Sequence, residues 1–220
     1  MKTVLVTGAN RGIGLAFVQH YQQRGDRVIA ICRQSSTELQ HSGAQIIEGI
    51  DVSDAEAVGS LGKRLAGVTI DILINNAGIL RDERLGDIDY RTVLEQFEVN
   101  AIGPLRVTEA LLDNLAEGAK VALITSRMGS IADNTSGGRY GYRMSKVALN
   151  MAGMSLAKDL APRGIAVALL HPGYVQTAMV GFGGDISADA SAQRLMERID
   201  QLTLESSGSF WHSNGEVLPW

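Results

Sequence analysis

Short apolar runs rich in β-branched residues alternate along this chain with longer segments whose apolar residues return every three or four positions. The runs lie at Thr3–Val6, Val28–Ile31, Gln45–Ile47, Ile72–Ile74, Val121–Ile124 and Ile165–Leu170. Most are apolar throughout rather than alternating, the pattern of strands covered on both faces. Between them, Leu105, Thr108, Leu112 and Leu115 show helical spacing, and a helix is predicted over Glu95–Leu112. Strand, helix, strand in repetition predicts an α/β fold, a single doubly wound parallel sheet flanked by helices on both faces. After Gly181 the texture loosens, with a helix predicted from about Ala188 to Leu204 and a last segment from Trp211 to Trp220. Residues 1–220 read as one domain, in which about 181–210 forms a substrate loop and helix.

Composition narrows the function classes. Of the 220 residues 45% are hydrophobic and 20% charged, as in ordinary globular domains, which argues against disorder and fibrous architecture. Twenty basic residues face 24 acidic ones, with no basic run, so nucleic acid is not an expected partner. Cys32 is the single cysteine and can form neither an intrachain disulfide nor a cysteine-based zinc site; no metal is expected. No apolar stretch has the length of a membrane span or a signal-peptide core, so a cytoplasmic location is the default expectation.

The first strand runs into Thr7-Gly8-Ala9-Asn10-Arg11-Gly12-Ile13-Gly14, followed by an amphipathic stretch. Glycines between a first strand and a first helix let a pyrophosphate approach the backbone, and the helix start offers it free N–H groups. The spacing is GxxxGxG rather than GxGxxG, in a chain with 25 glycines, so position in the pattern carries the reading of a Rossmann-type dinucleotide site. The second strand ends in Cys32-Arg33-Gln34, without the acid that would accept bonds from the ribose of NAD. Arg11 and Arg33 could clamp a 2′-phosphate instead, which favours NADP over NAD. Asp51 and Val52, after the third strand, fit an adenine-side position; a helix cap is the alternative for Asp51.

Four further features follow in order: Asn75-Asn76-Ala77-Gly78, Asn100, Ser126 in Thr125-Ser126-Arg127-Met128-Gly129, and Tyr142-Arg143-Met144-Ser145-Lys146. Together with the glycine turn and Pro172-Gly173…Thr177 they resemble the short-chain dehydrogenase/reductase family over residues 1 to about 180. Asn10-Arg11-Gly12, Tyr140-Gly141-Tyr142-Arg143 and Leu218-Pro219-Trp220 look most like its C-factor and carbonyl-reductase-like branch. The resemblance implies Asn100, Ser126, Tyr142 and Lys146 as catalytic residues. It implies a dinucleotide site at Gly8, Asn10, Arg11, Gly12, Ile13, Gly14, Arg33, Asp51, Val52, Asn75, Ala77, Gly78, Tyr142, Lys146, Pro172, Gly173, Val175 and Thr177. Some C-factor relatives are associated with cell-contact signalling.

Those roles make chemical sense. Tyr142 and Lys146, four apart, share one helix face. A free phenol titrates near 10, and a neighbouring ammonium favours its ionised form. Lys146 would also hold the nicotinamide ribose, Ser126 would donate to the substrate oxygen, and Asn100 would order a water leading from Lys146 to solvent. Thr177 could bond the nicotinamide carboxamide. Ser126 lies 16 positions before Tyr142, a longer spacing than in relatives, consistent with an insertion near Asn134–Gly138; Ser130 is its rival. Tyr140 lacks a lysine four residues on.

The reading is an NADP-dependent carbonyl reductase or alcohol dehydrogenase for a small, largely apolar carbonyl or alcohol. Met128, Ile131, Tyr174, Met179 and Phe182 would rim its pocket, with Asp133 the only nearby acid. The alternative is a dinucleotide-binding, C-factor-like signalling protein in which turnover is not the main role. A sugar-nucleotide epimerase is excluded by the short segment after Gly181, and a hydrolase by the lack of a complete nucleophile elbow around Ser155. Wide apolar arcs on Pro104–Leu115 and Tyr142–Leu160 suggest a homodimer or homotetramer. Leu218-Pro219-Trp220 could close the pocket or tuck against the sheet edge.

Overall fold

Each apolar run becomes a strand of one sheet in the computed structural model, which describes all 220 residues. These are β1 (Thr3–Thr7), β2 (Arg27–Ile31), β3 (Gln45–Ile47), β4 (Ile70–Asn75), β5 (Leu115–Ile124) and β6 (Ala166–His171), joined by β9 (Phe210–His212). All pair parallel in the order β3-β2-β1-β4-β5-β6-β9, while β7 (Val175–Gln176) and β8 (Ile186–Ser187) form a separate small pair. The order reverses between β1 and β4, and at such a switch point the connections leave a crevice at the carboxyl ends of the strands. Successive residues of β1 serve opposite faces. Val4 and Val6 pack with α1 (Gly12–Gln23) and α8 (Ala188–Gln201), whereas Leu5 packs on the other side. That other layer is built mainly by α6 (Gly103–Ala110) and α7 (Tyr140–Leu160). Burying each large aliphatic side chain in these layers contributes roughly 1.5–3 kcal/mol, which is why the strands are apolar without alternation.

Short helices α2 (Thr37–Gln40), α3 (Ala55–Gly59) and α4 (Leu61–Arg64) link the early strands, and α5 (Tyr90–Phe97) precedes α6. The helix expected over Glu95–Leu112 is therefore two helices, joined by a π-helical turn at Glu98–Ile102. Leu112 falls in a 3-10 turn and Leu115 opens β5. Asn114 enforces that exit, its amide donating to the carbonyls of Leu65 and Val68, both at 2.8 Å. The helix expected from Ala188 ends at Gln201 and belongs to the core: Ala192, Leu195 and Ile199 are fully buried in the layer shared with Phe17 and Val18. Its apolar face packs on α1. Leu94, Leu105, Met144 and Met151 remain exposed on α5, α6 and α7. No helix is long and apolar enough to cross a membrane.

Candidate active site

The crevice begins at Thr7, buried at the end of β1, whose hydroxyl accepts the N–H groups of Asn76 (3.0 Å) and Ala77 (3.1 Å). The Asn76 amide donates to the carbonyls of Thr7 and Gly8 at 3.0 and 3.2 Å, stitching the glycine turn to the end of β4. Gly14 lies against this seam, and a β-carbon there would collide with the Gly8 carbonyl oxygen and the Asn76 amide. Asn76 is thus a site residue that the motif contains but that residue type alone did not single out. Asn75, by contrast, spends its amide on Thr108 (3.1 Å) beneath α6, so its part in the site is structural.

Asn10 lies on the turn, Ile13 in the first turn of α1, and Arg11 is the N-cap of α1 with no side-chain cap bond and no acid in the first helical turn. The first N–H groups of α1 are therefore available to an anion. Across the crevice, the Cγ of Thr177 would lie 3.3 Å from a β-carbon on Gly12, so the loop after β6 faces the glycine turn directly. Pro172 anchors that loop, its carbonyl accepting from Ser191 (2.8 Å) and Ser213 (3.1 Å), while Gly173 packs on Ile186 and Val175 is buried in β7. Val52 is buried against Gly103 at the start of α6. Asp51 accepts from the backbone and hydroxyl of Ser53, and Arg33 stands 3.6 Å from it. Burial opposes these bonds, but together with Arg33 they hold the Asp51 carboxyl below its ordinary range. Arg33 is 69% exposed, so the pair is weak and its guanidinium can re-aim toward a phosphate. An acid not picked out from the sequence lies close by: Glu48 accepts from the Ser35 N–H at 2.6 Å.

The catalytic candidates converge at the mouth. Ser126 leaves β5 in extended conformation and accepts the Met128 N–H at 3.1 Å, capping a 3-10 turn at Arg127–Gly129. A β-carbon on Gly129 would come within 2.9 Å of the Lys146 backbone, so only glycine lets this turn seat on α7. Thr125 bonds Asn150 at 2.7 Å and Asn150 bonds the Gly129 carbonyl at 3.1 Å, a buried bridge that fixes α7 against β5. Burial raises the Tyr142 phenol above its ordinary value, while the neighbouring Ser126 hydroxyl and, more weakly, Arg139 pull it down. Ser130, the rival serine, spends its hydroxyl on the Asp133 N–H at 3.0 Å. Ser126 is the serine beside the phenol.

Lys146 is 4% exposed, its ammonium 5.7 Å from the centre of the Tyr142 ring. It donates to the Ile124 carbonyl at 2.8 Å, the one acceptor it has, so two of its three donors are unused in a buried setting. Desolvation pushes it down to about 7. Paired hydroxyl acceptors, such as those of a ribose, would complete its shell, and with the free start of α1 this makes the crevice fit a nicotinamide dinucleotide. Gly78 adjoins the same point: a β-carbon there would lie 3.2 Å from the Asn100 oxygen and 3.8 Å from the Lys146 ammonium. Asn100 sits in the π-helical turn with its amide fully engaged, bonding both backbone groups of Ile79 at 2.8 Å and the Ser145 hydroxyl at 3.0 Å. Both amide N–H groups of Asn100 are thus spent, and the π-turn that carries it is a form that recurs at functional sites.

Ile131, Tyr174, Met179 and Phe182, expected to rim the pocket, are exposed. The cleft beside Met128 is polar, and Asp82 and Glu83 line it. Asp133, expected as the only nearby acid, is committed to Arg127 at 3.1 Å. Glu83 is buried and accepts from the Gly141 N–H (3.2 Å), the Thr92 hydroxyl (3.0 Å) and the Gln96 amide. It ties α5 to the first turn of α7, a role no local pattern announces. The final segment both lines the sheet edge and reaches the site loop. Leu218 is buried and bonds the Phe210 carbonyl at 2.8 Å, Trp220 stacks on Phe210, and its carbonyl accepts the Ala132 N–H at 2.8 Å. Glu216 meets Arg127 at 2.9 Å. His171, packed edge-on against His212, is pushed down to about 3 by burial, His212, Arg127 and Lys146, and is neutral.

Known proteins resemble this chain in sequence and fold. The family model described as short chain dehydrogenase matches residues 2–186. A 1-hydroxy-2-glutathionyl-2-methyl-3-butene dehydrogenase of a Rhodococcus species is 43% identical over the whole of both chains. The C-signal protein of Myxococcus xanthus is 50% identical over 154 residues, 69% of this chain and 93% of that one. Among solved structures, NADPH-bound carbonyl reductase from chicken fatty liver superposes with a TM-score of 0.91 at 33% identity, covering 100% of this chain and 99% of the other. This chain belongs to the short-chain dehydrogenase family.

Proposed function

We propose that this protein is an NADP(H)-dependent reductase of a small carbonyl compound, or dehydrogenase of the corresponding alcohol, with Tyr142 as general acid and base. The observation that carries the reading is the meeting of Ser126, Tyr142 and Lys146 at the mouth of a crevice whose floor is the glycine turn. Bound NADP(H) would supply or accept the hydride. The phenol of Tyr142 gives its proton to the carbonyl oxygen in reduction and takes it back in oxidation. Ser126 donates a hydrogen bond to the same oxygen, where charge develops. Lys146, once its two unused donors find acceptors, carries its charge more readily and draws the phenol down toward working range. The main chain of the π-turn at Asn100 offers the exit for that proton. A cytoplasmic location, and assembly through the exposed face of α5, α6 and α7 into a homodimer or homotetramer, belong to the same reading.

Arg11 and Arg33 are the residues for a 2′-phosphate, a preference supported by the NADPH held by the chicken carbonyl reductase. Titration of wild type and Arg33→Ala with NADPH and NADH tests it. Wild type is expected to bind NADPH at least about tenfold more tightly than NADH, and the substitution to remove most of that difference, since a charge-assisted bond is worth about 1.5–3 kcal/mol. Equal affinities in wild type would reverse the NADP assignment, and binding of neither nucleotide would remove the enzymatic reading. The likeness to C-signal favours a second reading, a dinucleotide-binding signalling protein in which turnover is secondary.

A further inference from the structure

Met128, two residues beyond Ser126, and Arg143, one beyond Tyr142, line a cleft of about 310 Å³ in which Met128 is the single hydrophobic residue. Three arginines, Arg84, Arg139 and Arg143, line it together with Asp82 and Glu83. The carboxylates are spoken for: Asp82 holds Arg139 at 3.0 Å, and Glu83 is spent on Gly141, Thr92 and Gln96. Arg84 and Arg143 have no carboxylate partner. Arg143 is fixed in place by uncharged groups. Its Nε donates to the carbonyls of Gly137 and Gly138, both at 3.2 Å, and one Nη to the Ser136 hydroxyl at 2.8 Å. Two of its five N–H groups are thus used, and three have no acceptor in the protein. The loop that props it is unusual: Gly137, Gly138 and Arg139 are consecutively left-handed, and Arg139, at φ 49°, bears a strain of about 1 kcal/mol of the kind that gathers at ligand clamps. Burial and the neighbouring Arg139 press the Arg143 guanidinium below its ordinary range, so a negative charge beside it would be welcome.

We propose that this cleft receives an anionic end of the substrate, a carboxylate on the far side of the reacting carbonyl, with Arg143 as the fixed partner and Arg84 as the mobile one. The inference rests on the oxidoreductase reading above and names the substrate class that the apolar rim had suggested otherwise. A preset guanidinium fork matches a carboxylate at two points, which favours it over a neutral tail of equal length.

The test compares matched pairs at saturating NADPH: 4-oxobutanoate with butanal, 6-oxohexanoate with hexanal, and 8-oxooctanoate with octanal. At least one oxo acid is expected to exceed its neutral partner about tenfold in kcat/KM, through KM, with the advantage shrinking as salt rises. Arg143→Gln should erase about tenfold of that ratio, Arg84→Gln less, and Arg143→Lys should restore part of it. The ratio within a pair is the readout, so a general loss of activity in one variant does not imitate the effect. Wild type that turns over the neutral aldehydes but gains nothing from any carboxylate overturns this inference alone. A preference indifferent to both Arg143→Gln and Arg84→Gln overturns it as well. If no aldehyde of either kind consumes NADPH, the oxidoreductase reading fails and this inference falls with it.

Discussion

Tyr142→Phe is expected to lower turnover by about 10²- to 10⁴-fold while leaving NADPH affinity within a few-fold of wild type. The substitution removes one oxygen and keeps the ring, which is 8% exposed and packed in the first turn of α7. Loss of the phenol leaves Ser126 with its Met128 bond intact, so the local fold has no reason to change. The hydroxyl is the one acidic group beside Ser126 that burial keeps protonated in the free protein and that Lys146 can help to ionise. Steady-state rates with an aldehyde, alongside a fluorescence titration of NADPH, provide the check. Turnover within about fivefold of wild type would mean that the proton travels by another group. The same variant separates the two functional readings, because a C-signal-like activity that survives it cannot depend on catalysis.

Lys146→Met should do two opposite things. Turnover is expected to fall by about two orders of magnitude or more, because in the proposed reaction the ammonium would both polarise the phenol and hold the cofactor's hydroxyls. Stability of the free protein is expected to rise near pH 6–7. The folded chain buries an amine whose titration is pushed down to about 7, whereas the unfolded chain releases that proton only above pH 10. Below about pH 7 both states are protonated and the full cost of the buried charge is present. As pH climbs from 7 to 10 the folded amine is already neutral, the unfolded one is not, and wild type gains on the variant. At about 1.4 kcal/mol per pH unit the low-pH advantage of methionine reaches at most about 5 kcal/mol, less the lost bond to Ile124. Urea unfolding of both proteins at pH 6.5 and pH 9.5 measures it. A gap that does not narrow with pH would mean that Lys146 carries no strained charge. Such a trade of stability for function is common at active sites.

Most of the architecture was legible because burial on both faces leaves a plain mark. The six runs from Thr3 to Leu170 all became parallel strands, and the glycine turn fell between β1 and α1 as its position required. Less visible were features set by long-range hydrogen bonds. Asn114 ends one segment and starts β5 through carbonyls about fifty residues away, and the π-turn at Glu98–Ile102 interrupts a helix whose periodicity runs on unbroken. At the site, residue type in order identified Tyr142, Lys146 and Ser126 as neighbours. It did not show that Asn75 turns to Thr108 while Asn76 binds the glycine turn, because two adjacent amides read alike. Nor did it reveal Glu83 or Glu48, whose roles arise only when a loop folds onto a helix start or a turn. Loop composition pointed to Ile131 and Phe182, which are exposed, and gave no sign that arginines from two segments come together beside Met128.

Hydride transfer between a nicotinamide and a carbonyl carbon beside Tyr142 leaves a label that can be followed. The protein is incubated with an aldehyde and NADPH carrying deuterium at both C4 positions, and the alcohol is analysed by mass spectrometry. One deuterium on the carbinol carbon is predicted, formed by wild type and almost absent with Tyr142→Phe. An alcohol without deuterium, no alcohol at all, or the same labelled yield from the Tyr142→Phe protein would contradict it.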